Sequence, residues 1–290
     1  MKEEKFFDAD GFYQFIVESN CILHREGVEY GRQAVEGLVK DLSFDQELKV
    51  LDLACGGNPI SICQILSSFN DVSFDYTGID INPGQVKLAS TKFEFPVNVK
   101  HVNIIEGDAW NFPDFISQTR YDIIFTGLNL HHGSPRELFV LFRCILKRLK
   151  PGGVFINHDM YRPVDKTYII RPEANPKDPS ESYLMIPKKD LELENIPEFN
   201  FKGIPYSEVG DDDWRLEFLD GFSRVLKERG GDEIGIKSAC AHVYARDFCL
   251  TPYEMKVIAD SAGFISVVKD YEFSSEPLKK YYATIIGKVA

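Results

Sequence analysis

No apolar run in the chain approaches the roughly 18 residues that a membrane-crossing helix requires, so a bilayer-spanning role is not expected. The six cysteines, Cys21, Cys55, Cys63, Cys144, Cys240 and Cys249, form no C-x-x-C pair. That spacing argues against a zinc ribbon or a dithiol redox centre, and no other ligand set complete enough for a metal stands out. Positive charge is in deficit: 33 Lys and Arg face 45 Asp and Glu, a formal net charge of −12. Such a chain repels a phosphate backbone unless it carries a local basic patch, and none is visible. Neither nucleic acid nor an anionic membrane surface is therefore expected as a partner. Met1 to Phe7 lacks the apolar stretch of a secretory signal. With scattered thiols, this leads to the expectation of a reducing cytoplasm. Repeats and low-complexity tracts are absent too. What is present is ordinary globular material: 44% hydrophobic residues, including 22 Phe and 13 Tyr, in 290 residues. That suffices for one large domain, or for one domain with a sizeable insertion.

Texture changes along the chain. Residues 1 to 45 read as amphipathic helix, with Phe12, Phe15 and Ile16 in one apolar set and Val35, Leu38 and Val39 in another. Lys49 to Cys55 is a short strand run stopped by Gly56-Gly57-Asn58-Pro59, and helical spacing follows from Ile60 to Leu66. Further strands are expected at Ser73–Asp80, Val99–Glu106, Tyr121–Thr126 and Val154–Asn157, with helices over Pro83–Lys92 and Pro135–Lys150. Ser134-Pro135-Arg136-Glu137 has capping-box spacing with proline at the first helical position. Pro151-Gly152-Gly153 is expected to stop that helix. Strands alternating with helices imply a parallel sheet covered on both faces. From Tyr161 to Leu250 the alternation breaks. Pro163, Pro172, Pro176, Pro179 and Pro187 argue against regular elements, and helices are expected only from Asp211 and over Ile234–Ala245. The alternation then resumes with a second capping box, Thr251-Pro252-Tyr253-Glu254, and a closing strand pair, Phe264–Phe273 and Tyr281–Val289.

The strand, glycine turn and helix at Val50 to Ile60 form a nucleotide-type site, because glycines let the backbone approach a ligand and a helix N-terminus offers unpaired N–H groups. Asp80 ends the second strand roughly 20 residues on, where an acid can accept hydrogen bonds from ribose hydroxyls. Two ligand classes fit these features: a dinucleotide, or a nucleoside with an amino-acid tail. The turn favours the second. It lacks the G-x-G-x-x-G spacing that brings pyrophosphate to the helix, and Asp52, two residues before the turn, would sit poorly against a phosphate. A cationic or amine-bearing group suits Asp52 better.

These motifs resemble those of the class I S-adenosylmethionine-dependent methyltransferases. Val50 to Asn58 is similar to the family's first motif, Gly78 to Pro83 to its second, Glu106-Gly107-Asp108-Ala109 to its third, Tyr121 to Phe125 to its fourth, and Leu149 to Gly153 to the turn before its fifth strand. Together they cover residues 45 to 160, and residues 251 to 290 fit the family's closing helix and antiparallel strands. The resemblance implies an α/β fold: a Rossmann-like, mostly parallel seven-stranded sheet with helices on both faces. N-terminal helices (1–45) and an inserted helical cap (161–250) would flank a core of 46–160 and 251–290. It implies S-adenosyl-L-methionine as the cofactor, held near Asp52, Ala54, Gly56 and Asn58 of the turn. Asp80 would serve the ribose, Ile81 and Gln85 would stand beside it among the cofactor-binding residues, Asp108 and Ala109 would serve the adenine, and Asn129 and Leu130 the loop facing the methyl group. Two departures stand out: Ala54 replaces the first glycine of the first motif and Asn58-Pro59 its last. Asn58 is expected to tolerate the positive φ that a glycine would have taken.

A small-molecule acceptor, methylated at O or N, is expected, enclosed by the cap and the N-terminal helices. His131 and His132, after the fourth strand, are the candidate bases, since histidine titrates near neutrality. The alternative for this pair is packing and loop anchoring. Anchoring is also the reading for Asn157-His158-Asp159. His242 and the Arg246-Asp247 pair are candidates for substrate contact or for an ion pair fixing the cap. Tyr161, Tyr168, Tyr183, Tyr206, Trp214, Phe218, Phe222 and Tyr244 are candidates for an apolar pocket or for the cap's own core. A methyltransferase of protein or tRNA and a non-catalytic cofactor-binding protein are the competing functions; a NAD enzyme ranks below them. A homodimer is left open.

Overall fold

The computed structural model describes residues 12–40, 46–116, 118–163, 211–246 and 250–289. Two helices come first, α1 (Phe12–Glu18) and α2 (His24–Val39). Then β1 (Glu47–Leu53), α3 (Ile60–Ser67), β2 (Ser73–Asp80), α4 (Pro83–Thr91), β3 (Val99–Glu106) and β4 (Tyr121–Gly127) alternate. They are followed by α5 (Pro135–Arg148) and β5 (Leu149–Met160). After the break come α6 (Asp211–Glu228), α7 (Glu233–Arg246), α8 (Pro252–Ala262), β6 (Phe264–Asp270) and β7 (Tyr282–Val289). The proline-rich first half of the expected cap lies outside the described residues, as do Tyr168, Tyr183, Tyr206, Asp247 and the side chains of Tyr244 and Arg246.

The seven strands form one sheet in the order β3-β2-β1-β4-β5-β7-β6. Strands β1 to β5 pair in parallel, while β7 runs antiparallel to both β5 and β6. Chain order reverses between β1 and β4, and the crevice at the carboxyl ends of a sheet's strands at such a point is where ligands bind in open α/β folds. The sequence-level fold is thus the observed one, with a mixed sheet. Some boundaries differ: β1 runs from Glu47 to Leu53 rather than from Lys49 to Cys55, β6 ends at Asp270 rather than Phe273, and β5 differs most. Pairing of β5 begins at Leu149 rather than Val154, so Pro151-Gly152-Gly153 lies inside the strand. Gly152 takes φ +77°, and the register slips between Tyr121 and Ile123, so that pairing resumes beyond the turn.

Apolar periodicity explains the layers. On one face Leu51, Leu53, Ile124 and Phe155 pack against Leu138, Leu141, Phe142 and Ile145 of α5 and Ile258 of α8. On the other, Val50, Ile123, Val154 and Ile156 meet Val35 of α2 and Ile62, Ile65 and Leu66 of α3. Both expected capping boxes form, Ser134 with Glu137 and Thr251 with Glu254. A third cluster contains Phe12, Ile16 and Val17 of α1 together with Phe218, Phe222 and Leu226 of α6, Ile236 of α7, and Met160, Tyr281 and Tyr282 at strand ends. The N-terminal helix and the second half of the insertion therefore share one core.

Candidate active site

The loops after β1, β2 and β4 meet at the crevice. Asp80 is buried, and both its oxygens hold backbone: Oδ2 accepts the Gly56 N–H at 2.8 Å and Oδ1 the Asn82 N–H at 2.9 Å. It is not the helix cap. Asn82 caps α4, accepting from Gly84 and Gln85 N–H. A carboxylate oxygen has two lone pairs, so each oxygen keeps acceptor capacity for a ribose hydroxyl. Gly57 donates to Gln85 Oε1 at 2.7 Å, so Gln85 braces the turn. A Cβ at Gly57 would lie 2.7 Å from that oxygen and 2.9 Å from Leu88 Cβ, which is why a side chain has no room there.

The turn takes a different shape from the one expected. Its left-handed residues are Ala54 (φ +60°) and Gly56 (φ +63°), and Asn58 is not among them. Proline follows Asn58, and a residue before proline is driven toward extended backbone. The strain has moved to Ala54, the position that carries glycine in the family's motif.

Asp52 is buried at the end of β1 and accepts the Tyr76 hydroxyl at 2.7 Å. Burial and the nearby Asp80 push its carboxyl up to about 8, against the pull of the Tyr76 hydrogen bond. Burial also raises Asp80. Tyr13 of α1 belongs to the same neighbourhood: its hydroxyl is pushed up to about 12 by burial and by the negative charge of Asp52, Asp159 and Asp80. Sequence reasoning missed Tyr13. Its only signal was its place on the N-terminal helix, next to the apolar Phe12.

Asp108 caps a 3-10 turn, accepting from Trp110 N–H and from Asn111 Nδ2, with Ala109 buried behind it. Ile81 projects into solvent beside Asp80 and is 68% exposed, an apolar surface with no core to join. Asn129 is buried, and its Nδ2 donor has no hydrogen-bond partner among the described residues. It follows Leu128, which holds φ +52° and packs against the cluster shared by α1 and the cap.

The loop after β4 is anchored by β5. Asp159, fully buried, receives the Leu130 N–H on Oδ2 at 2.8 Å and the Met160 N–H on Oδ1 at 2.8 Å. His131 Nδ1 meets the same Oδ1 at 2.5 Å. An acceptor already bound by backbone N–H groups assigns the imidazole proton to Nδ1 and the lone pair to Nε2. His132 is half-buried, its ring 4.1 Å from that of His131. The other members of the Asn157-His158-Asp159 run are structural. Asn157 donates to Tyr161 Oη at 2.7 Å. His158 bridges Tyr271 Oη and the Ile22 carbonyl, and burial, then the nearby His24, hold its pKa down at about 4.

Comparison with known proteins follows this geometry. Residues 50–153 match a family described as a methyltransferase domain. These residues form a methyltransferase domain of the class I S-adenosylmethionine-dependent family. A demethylmenaquinone methyltransferase of Leptospira interrogans is 30% identical over 159 residues, 55% of this chain and 56% of that one. An uncharacterised methyltransferase of Synechocystis sp. is 28% identical over 125 residues, 43% of this chain and 53% of that one. The chain thus spans about half the length of the curated relatives it matches. Among solved structures, the plantazolicin methyltransferase BpumL in complex with S-adenosylhomocysteine aligns with a TM-score of 0.51 at 13% identity, over 99% of this chain and 94% of that one. An O-methyltransferase family protein from Burkholderia thailandensis aligns with a TM-score of 0.51 at 13% identity, over 100% of this chain and 63% of that one. At these identities the likeness is one of fold. Among the described residues, no group of three or more His, Cys, Asp or Glu is placed to hold a metal ion, and no helix is long and apolar enough to cross a membrane.

Proposed function

We propose that the protein transfers a methyl group from S-adenosyl-L-methionine to a small-molecule acceptor, at oxygen in preference to nitrogen. The cofactor suits the residues present. Asp80 has acceptor capacity for ribose, Ile81 an apolar face for adenine, and Asn129 a buried donor unpaired among the described residues. The buried carboxylates Asp52, Asp80 and Asp159 favour a ligand of positive charge. When bound, S-adenosylmethionine supplies an electrophilic methyl group on a sulfonium sulfur.

The preference for oxygen rests on one observation, the Asp159–His131 pair at 2.5 Å. A neutral amine needs no base to attack a sulfonium methyl, whereas a hydroxyl with a pKa above the working pH must lose its proton as the new bond forms. His131 takes that proton at Nε2, and Asp159 stabilises the imidazolium through Nδ1–H. The bound cofactor would supply the methyl group and leave as a neutral thioether, so the chain's own residues have only to hold the acceptor and take its proton. Holding the acceptor and excluding water supply much of the rest of the acceleration. The acidic surface charge and the cover of α1, α6 and α7 favour a small acceptor over a protein or tRNA. The relative named as a demethylmenaquinone methyltransferase supports an acceptor of that size.

The test is a pH–rate profile with a hydroxyl acceptor found by screening phenols, enols and amines for S-adenosylhomocysteine release. His131→Ala is expected to lower kcat by roughly 10²–10⁴-fold, with the loss shrinking at high pH and cofactor affinity unchanged. His132→Ala is expected to leave the shape of the profile intact. Profiles for both variants parallel to wild type, or turnover confined to amines, would contradict the assignment.

A further inference from the structure

Asp52 leaves β1 on the same face as Val50, because strand side chains alternate. That face is an apolar layer, with Val50 and Ile123 against Ile62 and Ile65 of α3. One polar tip in the layer turns to the acid. Tyr76 of β2 is fully buried, and its hydroxyl lies 2.7 Å from Asp52 Oδ2. In the register of the two strands Tyr76 lies beside Val50, and Gly78 beside Asp52. The phenol therefore reaches Asp52 along a diagonal. Gly78 keeps that diagonal clear: a Cβ there would lie 3.1 Å from Tyr76 Oη and 2.8 Å from Cys55 Sγ. Phe95 packs against the Tyr76 ring, with centroids 5.0 Å apart.

A phenylalanine would fill this layer without the cost of burying a hydroxyl, so the hydroxyl matters through the bond it makes. Burial, then the charge of Asp52, keep the Tyr76 phenol protonated far above neutrality, which makes it the donor. The other titratable groups around Asp52 are Asp80 at the end of β2, Cys55 of the turn, Cys63 of α3 and Tyr13 of α1. Among the described residues no cation faces it, and Tyr76 alone favours the charged carboxylate. Oδ1 accepts no hydrogen bond among the described residues, yet it is not sealed, since Asp52 keeps 2% of its surface exposed. One oxygen is thus held, and the other keeps its acceptor capacity.

We propose that Tyr76 is a positioning residue for the cofactor: by holding Asp52 through Oδ2 it presents Oδ1 to the ammonium group of the amino-acid tail. The inference rests on the methyltransferase reading above. Tyr76 acts through Asp52, so its effect is confined to ligands that carry the ammonium.

Calorimetric titration with S-adenosylhomocysteine and with 5′-methylthioadenosine tests this, because the second ligand has the nucleoside and the thioether but no amino-acid tail. In wild type, affinity for S-adenosylhomocysteine should rise on the order of 10-fold from about pH 6 to pH 8 as Asp52 gains its charge, while affinity for 5′-methylthioadenosine stays within about 2-fold. Tyr76→Phe should weaken S-adenosylhomocysteine about 10-fold near pH 7.5 and move its rise with pH upward. It should leave 5′-methylthioadenosine within about 2-fold of wild type. In an Asp52→Asn background the same substitution should leave the ratio of the two affinities unchanged. Equal weakening of both ligands by Tyr76→Phe would make the residue purely structural. That result, an unshifted pH profile in the variant, or a wild-type preference independent of pH would each overturn the proposal. Failure of the underlying reading shows differently: neither ligand would bind the wild-type protein.

Discussion

Asp52 and His158 carry opposite linkages between folding and pH. The Asp52 carboxyl titrates at about 8 in the folded chain and near 4 when unfolded, as model peptides do. Between these values the folded state keeps a proton that the unfolded state has lost, so this group's contribution to stability falls as pH rises. His158 works the other way. Its folded pKa is held at about 4 against roughly 6.5 unfolded, so stability rises with pH across that window and is then constant. The two oppose one another below pH 6.5, and of the two only Asp52 acts above it. Asp52→Asn retains an acceptor for the Tyr76 hydroxyl and removes the proton. Relative to that variant, wild type should lose roughly 1–2 kcal/mol of stability from pH 6.5 to 8. Urea unfolding at the two pH values measures the difference, and parallel losses in both proteins would show that Asp52 is ionised throughout. A cationic ligand near Asp52 should pull its pKa down, so cofactor binding near pH 7.5 should release protons into a weak buffer.

At the scale of elements, the insertion is pinned where it leaves and rejoins the sheet. Arg162, just past β5, donates from Nη2 to both carboxylate oxygens of Glu254 in α8, at 2.9 and 3.1 Å. The Arg162 N–H also meets the Leu250 carbonyl at 2.9 Å. The ion pair is almost fully buried, and Glu254 is at once the third helical residue of the Thr251 capping box. Arg162→Ala leaves a buried carboxylate without its cation and should cost about 3–5 kcal/mol. The double variant Arg162→Met, Glu254→Gln should recover much of that loss. Thermal unfolding of the three proteins separates the cases; a loss below about 1 kcal/mol, the range of an exposed pair, would mean that water reaches the site. Half of this device was legible in the sequence. The Thr251-Pro252-Tyr253-Glu254 spacing announced the cap because capping is local. The arginine was not, because Arg162 and Glu254 are brought together only by the return of the chain to β5. The same limit applies at the turn after β1. The glycines and Asp80 stood out as motifs, but the transfer of backbone strain from Asn58 to Ala54 depends on Pro59 acting within a turn braced by Asp80 and Gln85.

Across the molecule, α1 and the cap helices behave as one cover. Their shared cluster explains why the N-terminal helix, weak on its own at 7 residues, is held in place. Gly235 at the start of α7 lies directly against the Phe12 ring. Gly235→Ala should therefore force the two apart. Hydrogen exchange should quicken in α1, α6 and α7 together, with β1, β2 and β4 keeping their protection. Exchange quickening in α7 alone would show that the cover is not a unit. The sequence announced both parts of this cover through their apolar spacing. It did not show that they share a core, nor that Tyr13 reaches the acids of the site, since neither follows from periodicity. The sheet was the most legible part, because its central strands β4 and β5 carry the apolar runs Ile123-Ile124-Phe125 and Val154-Phe155-Ile156 and every strand is bounded by a turn or a helix start. The central claim, that this crevice binds a nucleoside with a charged amino-acid tail and not a dinucleotide, is tested most directly by calorimetric titration of the intact protein with S-adenosylhomocysteine and with NADH. The account predicts saturable one-to-one binding of S-adenosylhomocysteine, weakened on the order of 10- to 100-fold by Asp80→Ala as its ribose hydrogen bonds are lost, and no heat from NADH beyond dilution; binding of NADH with none of S-adenosylhomocysteine would contradict it.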